Sequence, residues 1–247
     1  MENILNFGSN IIFKYGTIKH LEDTVLNNSL GFSKVGKLND PFEIAHRFYI
    51  AKMSGNDAPN SEKFKELIEY RNTYLNDSEI SCFSRIPNEP LMWAHYADKH
   101  NGICYCFDEN QITTYGLCSV FEDVTYSNQF PKINIEESNS SKHKLTMELN
   151  RVLMTKSLNW FYEKEFRIIL KEGSKKTFRS NALKAVIIGV NAAILNRKRI
   201  ISIINKANEN RDDKIKIYYA CMSELNYDMI ISQEYSGVRP ENIKTYN

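Results

Sequence analysis

The sequence predicts an α+β domain with a split, mostly antiparallel sheet and flanking helices. Two observations lead to this. Strand-like and helix-like patterns are interspersed irregularly along the chain rather than in strict βα alternation. Hydrophobic residues make up 42% of the 247 positions, enough for a substantial core. No internal repeat and no clean linker interrupts the pattern, so residues 1–247 read as a single domain.

The elements follow in order. Ile11 to Tyr15 is a short apolar strand, and Thr17 can cap a helix that runs to about Leu30. Gly31-Phe32-Ser33 restarts extended chain. In Leu38-Asn39-Asp40-Pro41-Phe42-Glu43, Asp40 suits an N-cap, Pro41 the first helical position and Glu43 the reciprocal position of a capping box. Capping leaves Asn39 unexplained. Ser54 to Asn60 reads as a polar loop, and Ser61 to Asn76 as an amphipathic helix with Phe64, Leu67, Ile68 and Leu75 on its stripe. Glu79 to Ser84 alternates as a strand. Asn88 to Asn101 suits a helix, with Pro90 in its first turn and Gly102 beyond its end. Strands are expected at Ile103–Phe107 and Ser119–Ser127. Residues 131–143 are polar and aperiodic, the pattern of a long flexible loop. A helical stripe from Leu145 to Lys156 leads into Trp160–Leu170, which reads as a strand. Leu183–Val190 is a buried strand, 191–208 a helix, and Ile215–Cys221 and Met229–Ser232 closing strands.

Charge and cysteine content exclude several classes. Thirty-two basic against thirty acidic residues give a net charge of +2, with no long-range pull on nucleic acid. Five cysteines, an odd number without a CxxC pair, suit reduced thiols rather than a disulfide framework. The first residues lack a secretory pattern, and no apolar run approaches bilayer length, so a soluble, cytoplasmic protein is expected. The phosphate cradles GxGxxG and GxxxxGK[ST] are absent. His95 and His100 are five apart, on different helix faces, and Cys104-Tyr105-Cys106 lacks zinc-loop spacing, so core thiols are preferred to a metal site.

The chemistry concentrates in Trp160-Phe161-Tyr162-Glu163-Lys164-Glu165-Phe166-Arg167. Strand alternation would put Glu163, Glu165 and Arg167 on one face and Tyr162, Phe166, Ile168 and Leu170 on the other. With Lys14 and Tyr15, Ser81 and Ser84, and Trp93, His95 and Tyr96, these residues form a set able to hold a flat cationic heterocycle bearing a ribose. Aromatics stack on the ring, and a carboxylate bonds the sugar and stabilises an oxocarbenium-like transition state. The alternative is that Trp93 and Tyr96 are core residues and Glu165–Arg167 a structural ion pair. A metal-dependent nuclease would use Asp40, Glu43, Glu163 and Glu165 as a carboxylate cluster.

The ordered set Phe13-Lys14-Tyr15, Asn39-Asp40-Pro41-Phe42-Glu43, Cys82-Phe83-Ser84, Met92-Trp93-Ala94-His95-Tyr96-Ala97, His100-Asn101-Gly102 and Trp160-x-Tyr162-Glu163-x-Glu165-Phe166-Arg167 resembles the bacterial family called domain of unknown function 2971 over roughly residues 11 to 190. The order of parts also resembles ADP-ribosyltransferase-like folds of the branch that modifies nucleic acids. There an early strand carries a basic or aromatic residue, a second strand carries small hydroxyls, and a late strand carries a Glu-x-Glu pair. The sequence departs from that branch in having Lys14 or Tyr15 where Arg or His is usual, and Tyr15, Tyr96 and Tyr126 all qualify for stacking on nicotinamide. The resemblance implies an NAD-consuming ADP-ribosyltransferase or NAD glycohydrolase, a toxin or phage-defence effector. Glu165 would be its catalytic carboxylate and Glu163 would activate the acceptor. Lys14, Tyr15, Asn39, Asp40, Ser84, Trp93, His95, Tyr96 and Arg167 would contact NAD. NAD serves as substrate, with no metal expected. Its partners would be a protein or nucleic-acid acceptor and, as an option, a second copy of the chain, with no membrane. The alternatives are a metal-dependent nuclease and a non-catalytic binding module.

Overall fold

Alternating β-branched and aromatic residues build most of the strands. The computed structural model describes residues 7, 10–44, 47–50, 62–112, 118–135 and 142–235. In chain order the elements are β1 (Ile11–Gly16), α1 (Leu21–Leu26), β2 (Ser33–Lys34), β3 (Arg47–Ile50), α2 (Glu62–Asp77), β4 (Ser78–Ser84), α3 (Pro90–Tyr96), β5 (Ile103–Asp108) and β6 (Cys118–Asp123). There follow β7 (Thr125–Ser127), β8 (Lys132–Ile135), α4 (Lys142–Leu153), β9 (Thr155–Ser157), β10 (Glu165–Lys171), β11 (Leu183–Ile188), α5 (Ile194–Asn208), β12 (Lys216–Met222) and β13 (Met229–Ser232). Most pairings among them are antiparallel, as the α+β reading expects.

The chain forms two compact units. The first comprises residues 1–30, 83–115 and 176–247. Its strands run in the order β13-β12-β11-β5-β1. β11 and β12 are parallel, joined through α5, and the other neighbours are antiparallel. Ile12, Ile103, Cys104, Cys106, Phe107, Ile187 and Ile188 are fully buried. Burial pushes the thiols of Cys104 and Cys106 up, as expected of packing residues rather than reactive ones. Two glycines permit close backbone approach. A Cβ on Gly102 would lie 2.3 Å from the Gly16 carbonyl oxygen, and one on Gly189 would lie 2.3 Å from that of His100.

The second unit comprises residues 31–82 and 116–175. β10 lies between β4 and β6, and β2 pairs β4. β3–β8 and β7–β9 are parallel two-stranded ladders. α2 and α4 bury Leu67, Leu75, Leu145, Leu149, Val152 and Leu153 with Ile80, Val120, Ile133 and Ile169. Hydroxyls tie the two helices together: Tyr70 to Thr146 at 2.7 Å and Tyr74 to Asn150 at 2.5 Å.

Several expectations need correction. The first helix stops at Leu26, because Asn28 turns to φ +50, and Thr17 makes no side-chain cap. The helix expected over 88–101 ends at Tyr96, and Asp98, Lys99 and His100 then take left-handed backbone. Asp40 starts a turn rather than a helix: its Oδ1 accepts from the Phe42 N–H at 2.9 Å. The strand expected over 119–127 is broken at Val124 into β6 and β7. The polar stretch 131–143 holds β8 and the start of α4, while 136–141 lie outside the described residues, as does the loop expected at 54–60. The stretch from Trp160 is a strand only from Glu165. Leu158–Glu163 is a 3-10 turn, and Lys164 is left-handed at φ +45.

Candidate active site

β10 projects Glu165 and Arg167 from one face, two residues apart, as strand alternation requires. Glu163 reaches them differently. The 3-10 turn and the left-handed Lys164 come just before the strand, and the Lys164 N–H closes the turn on the Phe161 carbonyl at 3.3 Å. Lys156, on the short β9, completes the group.

The contacts are dense. Arg167 Nε donates to Glu165 Oε1 at 2.7 Å and Nη2 to Oε2 at 3.0 Å, a two-pronged clasp. Its guanidinium also donates to the Leu153 carbonyl and to Glu43. The Lys156 ammonium lies between two carboxylates, 2.5 Å from Glu163 Oε2 and 2.9 Å from Glu165 Oε2, with Glu43 at 3.9 Å. The Glu165 N–H donates to the Tyr126 hydroxyl oxygen at 2.8 Å. Glu43, Lys156, Glu163, Glu165 and Arg167 are all buried, none above 5% exposed.

Among the described residues, three carboxylates therefore face two cations. Burial works against the charged form of Glu165. Arg167, then Lys156, with the Cys82 thiol hydrogen-bonded to the same carboxylate, outweigh it and bring its pKa down to about 2. Burial likewise disfavours the Lys156 cation, but Glu165, Glu43 and Glu163 overcome that and raise its pKa. Arg167 is raised in the same way by Glu165 and Glu43. The result is a carboxylate that stays ionised and fixed at any physiological pH. It is suited to stabilising positive charge and unsuited to donating a proton. Burial first, with the nearby Glu165 and Glu163 charges adding to it, pushes the Tyr126 phenol up to about 12, so it remains neutral.

The sequence-predicted residues divide between the units. Asn39, Asp40, Glu163, Glu165 and Arg167 lie in the second, and Lys14, Tyr15, Ser84, Trp93, His95 and Tyr96 in the first. Within the first unit, Tyr15 packs edge-on against Trp93 at 5.3 Å and donates to the Ile86 carbonyl at 2.9 Å. Trp93 is fully buried and donates to the Pro87 carbonyl at 2.8 Å. Ser84 accepts from the Ile86 N–H, Lys14 lies over the Phe83 ring, and His95 is exposed beside Tyr96. In the second unit Asn39 is exposed and Asp40 buried in its turn. A carboxylate-cluster nuclease expects Asp40 or Glu43 beside Glu163 or Glu165. Glu43 does join Glu165, through Arg167 and Lys156. Among the described residues no group of three or more His, Cys, Asp or Glu is placed to hold a metal.

Sequence reasoning gave Lys156 and Tyr126 no part in this charge group. The parallel register that places Tyr126 opposite Lys156 belongs to the folded ladder and leaves no signal in the sequence. Thr125 and Thr155, on the other face of that ladder, line a cavity of about 630 Å³ with Ser127, Phe130, Asn150 and Arg151. Glu163 and Glu165 do not line it.

Among solved structures, the chain is similar to Thermus sp. 2.9 DarT in complex with ADP-ribosylated ssDNA. Identity is 10%, coverage 88% of this chain and 97% of that one, and the TM-score 0.35. No curated protein matches. A family model described as "Protein of unknown function (DUF2971)" matches residues 92–168, which contain both the Met92–Gly102 motif and the Glu163–Arg167 cluster, as the resemblance read from the sequence expects.

Proposed function

We propose that the protein consumes NAD, as an ADP-ribosyltransferase or NAD glycohydrolase. The observation that carries this reading is the Glu165 carboxylate, held ionised and immobile by Arg167 and Lys156. Breaking the bond between the nicotinamide nitrogen and the ribose C1′ sends the electron pair out with neutral nicotinamide and leaves an oxocarbenium-like sugar. A fixed anion beside that carbon stabilises the charge as it develops, without reorganising. The acceptor then attacks C1′ and gives up a proton, for which Glu163 is the base. The Lys156 ammonium marks the place of the positive charge, between Glu163 and Glu165. Substrate taking that place displaces the Lys156 ammonium from the two carboxylates, and Arg167 continues to hold Glu165 ionised.

The acceptor in this reading is water, a protein or a nucleic acid, the setting is the cytoplasm, and the role is that of a toxin or defence effector. Among the described residues no helix is long and apolar enough to cross a membrane. A second reading, a non-catalytic module whose cluster is purely structural, is favoured by the 3% exposure of Glu165.

Nicotinamide release from NAD separates the two. Wild-type protein is expected to release it, with candidate acceptors present or absent. Glu165→Gln is expected to lower the rate by at least about a hundredfold, the size of a lost charge-stabilising group. This variant leaves two carboxylates facing two cations, so it is expected to fold. No release under any acceptor condition, or release unchanged in Glu165→Gln, sinks the proposal.

A further inference from the structure

Exposed apolar side chains gather around one concave place in the second unit. Phe130 is 40% exposed, Phe42 and Met147 are each 61% exposed, and the rings of Phe42 and Phe130 stack at 6.1 Å. Phe130 and Met147 line the cavity of about 630 Å³, together with the buried Met154. Singly scattered apolar residues need no explanation, but a group of them around a cavity marks a binding site. Polar groups of both signs share the lining. Glu122 stands exposed on β6, the end strand of its sheet. Arg151 donates through Nε and Nη2 to Glu148, and through Nη2 to the Lys132 carbonyl, which leaves Nη1 for a further acceptor. Asn150 accepts from the Tyr74 hydroxyl through Oδ1, so its amide N–H groups remain to donate. The β7–β9 ladder separates this place from the charge cluster. Thr125 and Thr155 line the cavity, whereas Tyr126 and Lys156, the next residue on each strand, bond Glu165 and Glu163.

We propose that this cavity is a second ligand site, which binds a short free peptide with apolar side chains and holds it at both ends. Glu122 takes the terminal ammonium, Arg151 Nη1 the terminal carboxylate, and the Asn150 amide a peptide carbonyl. Phe130, Met147 and Met154 cover the side chains. Each feature excludes a simpler ligand. A hydrocarbon leaves Glu122 and Arg151 unmatched, an amine matches only Glu122, and a carboxylic acid matches only Arg151. The volume exceeds a single amino acid and suits a chain of roughly two or three residues. The site stands apart from the proposed reaction, because neither Glu163 nor Glu165 lines it.

Isothermal titration calorimetry of the whole protein with phenylalanyl-leucine tests this against three relatives. The N-acetyl form lacks the cation, the C-terminal amide lacks the anion, and glycyl-glycine lacks the apolar side chains. Phenylalanyl-leucine is expected to bind, and each relative to bind at least about tenfold more weakly, the size of one charge-assisted hydrogen bond or one covered side chain. Glu122→Gln, at an exposed position, is expected to bind the free and N-acetylated dipeptides equally. Phe130→Ala is expected to weaken phenylalanyl-leucine about tenfold. Glu165→Gln is expected to leave its binding unchanged. No binding of phenylalanyl-leucine, a blocked form that binds as well as it does, or a preference for the free amine that survives Glu122→Gln, overturns the site. None of these titrations contains NAD, so the peptide site and the proposed reaction stand or fall separately.

Discussion

At the scale of single residues, the decisive quantity is the charge state of Glu165. Three carboxylates and two cations share a site from which water is excluded, and an unpaired charge there would be strongly destabilising. Arg167 and Lys156 keep Glu165 ionised within it, with its pKa about 2 rather than 4.5. A carboxyl whose folded pKa lies below its unfolded one contributes stability above the unfolded value, and loses it as pH falls toward the folded value. The contribution of Glu165 is therefore full above about pH 4.5 and is lost between there and about pH 2. The shift corresponds to on the order of 3 kcal/mol. Urea unfolding across this window should show the wild-type midpoint falling steeply with acid. Glu165→Gln should show a shallower fall, since an amide does not titrate. Parallel curves for the two proteins would mean that Glu165 is not the group that sets acid stability.

At the scale of elements, competition between local and distant partners decides what the turn after Leu38 becomes. Asp40, Pro41 and Glu43 carry the composition of a capped helix start, yet the chain forms a turn. A cap is worth about 1 kcal/mol. A hydrogen bond between charged groups is worth about 1.5–3 kcal/mol, and more where the alternative is a buried, under-satisfied guanidinium. Glu43 therefore serves Arg167, 124 positions along the chain, instead of a helix it could cap locally. Glu43→Ala should lower Tm by about 5–10 °C and Asp40→Ala by only about 2–4 °C. Equal losses in a thermal melt would show that Glu43 contributes only to its turn. The same competition marks what was legible in the sequence. Alternation over Phe166–Leu170 was readable and correctly paired Glu165 with Arg167. The turn at Leu158–Glu163 was not, because its aromatics look β-prone and nothing in a lysine announces a left-handed residue at 164. Lys156 looked like the end of a helical stripe, since α4 ends at Leu153, only three residues earlier.

At the scale of the whole molecule, neighbouring strands come from distant segments. The first unit draws β1 from residues 1–30, β5 from 83–115 and β11 to β13 from 176–247. Its central pairings, β1 with β5 and β5 with β11, join all three. The chain enters this unit from the second inside β4, between Cys82 and Phe83, where no proline or glycine marks a boundary. That is why composition shows no linker. Such non-local pairing delays the reward for closing long loops, so refolding should be slow, on the order of milliseconds to seconds. It also makes the unit dependent on its last segment. Removing residues 176–247 strips β11 from β5 and leaves an open edge on a strand whose Ile103 to Phe107 are all at most 4% exposed. An apolar, unpaired edge of that kind associates with other chains. The truncated chain should be largely insoluble, and any soluble fraction should elute as high-mass aggregate on size exclusion with reduced strand signal in circular dichroism. A soluble, monodisperse product with native-like strand content would show that β1 and β5 hold together without β11, and that the last segment only decorates the unit instead of completing its sheet.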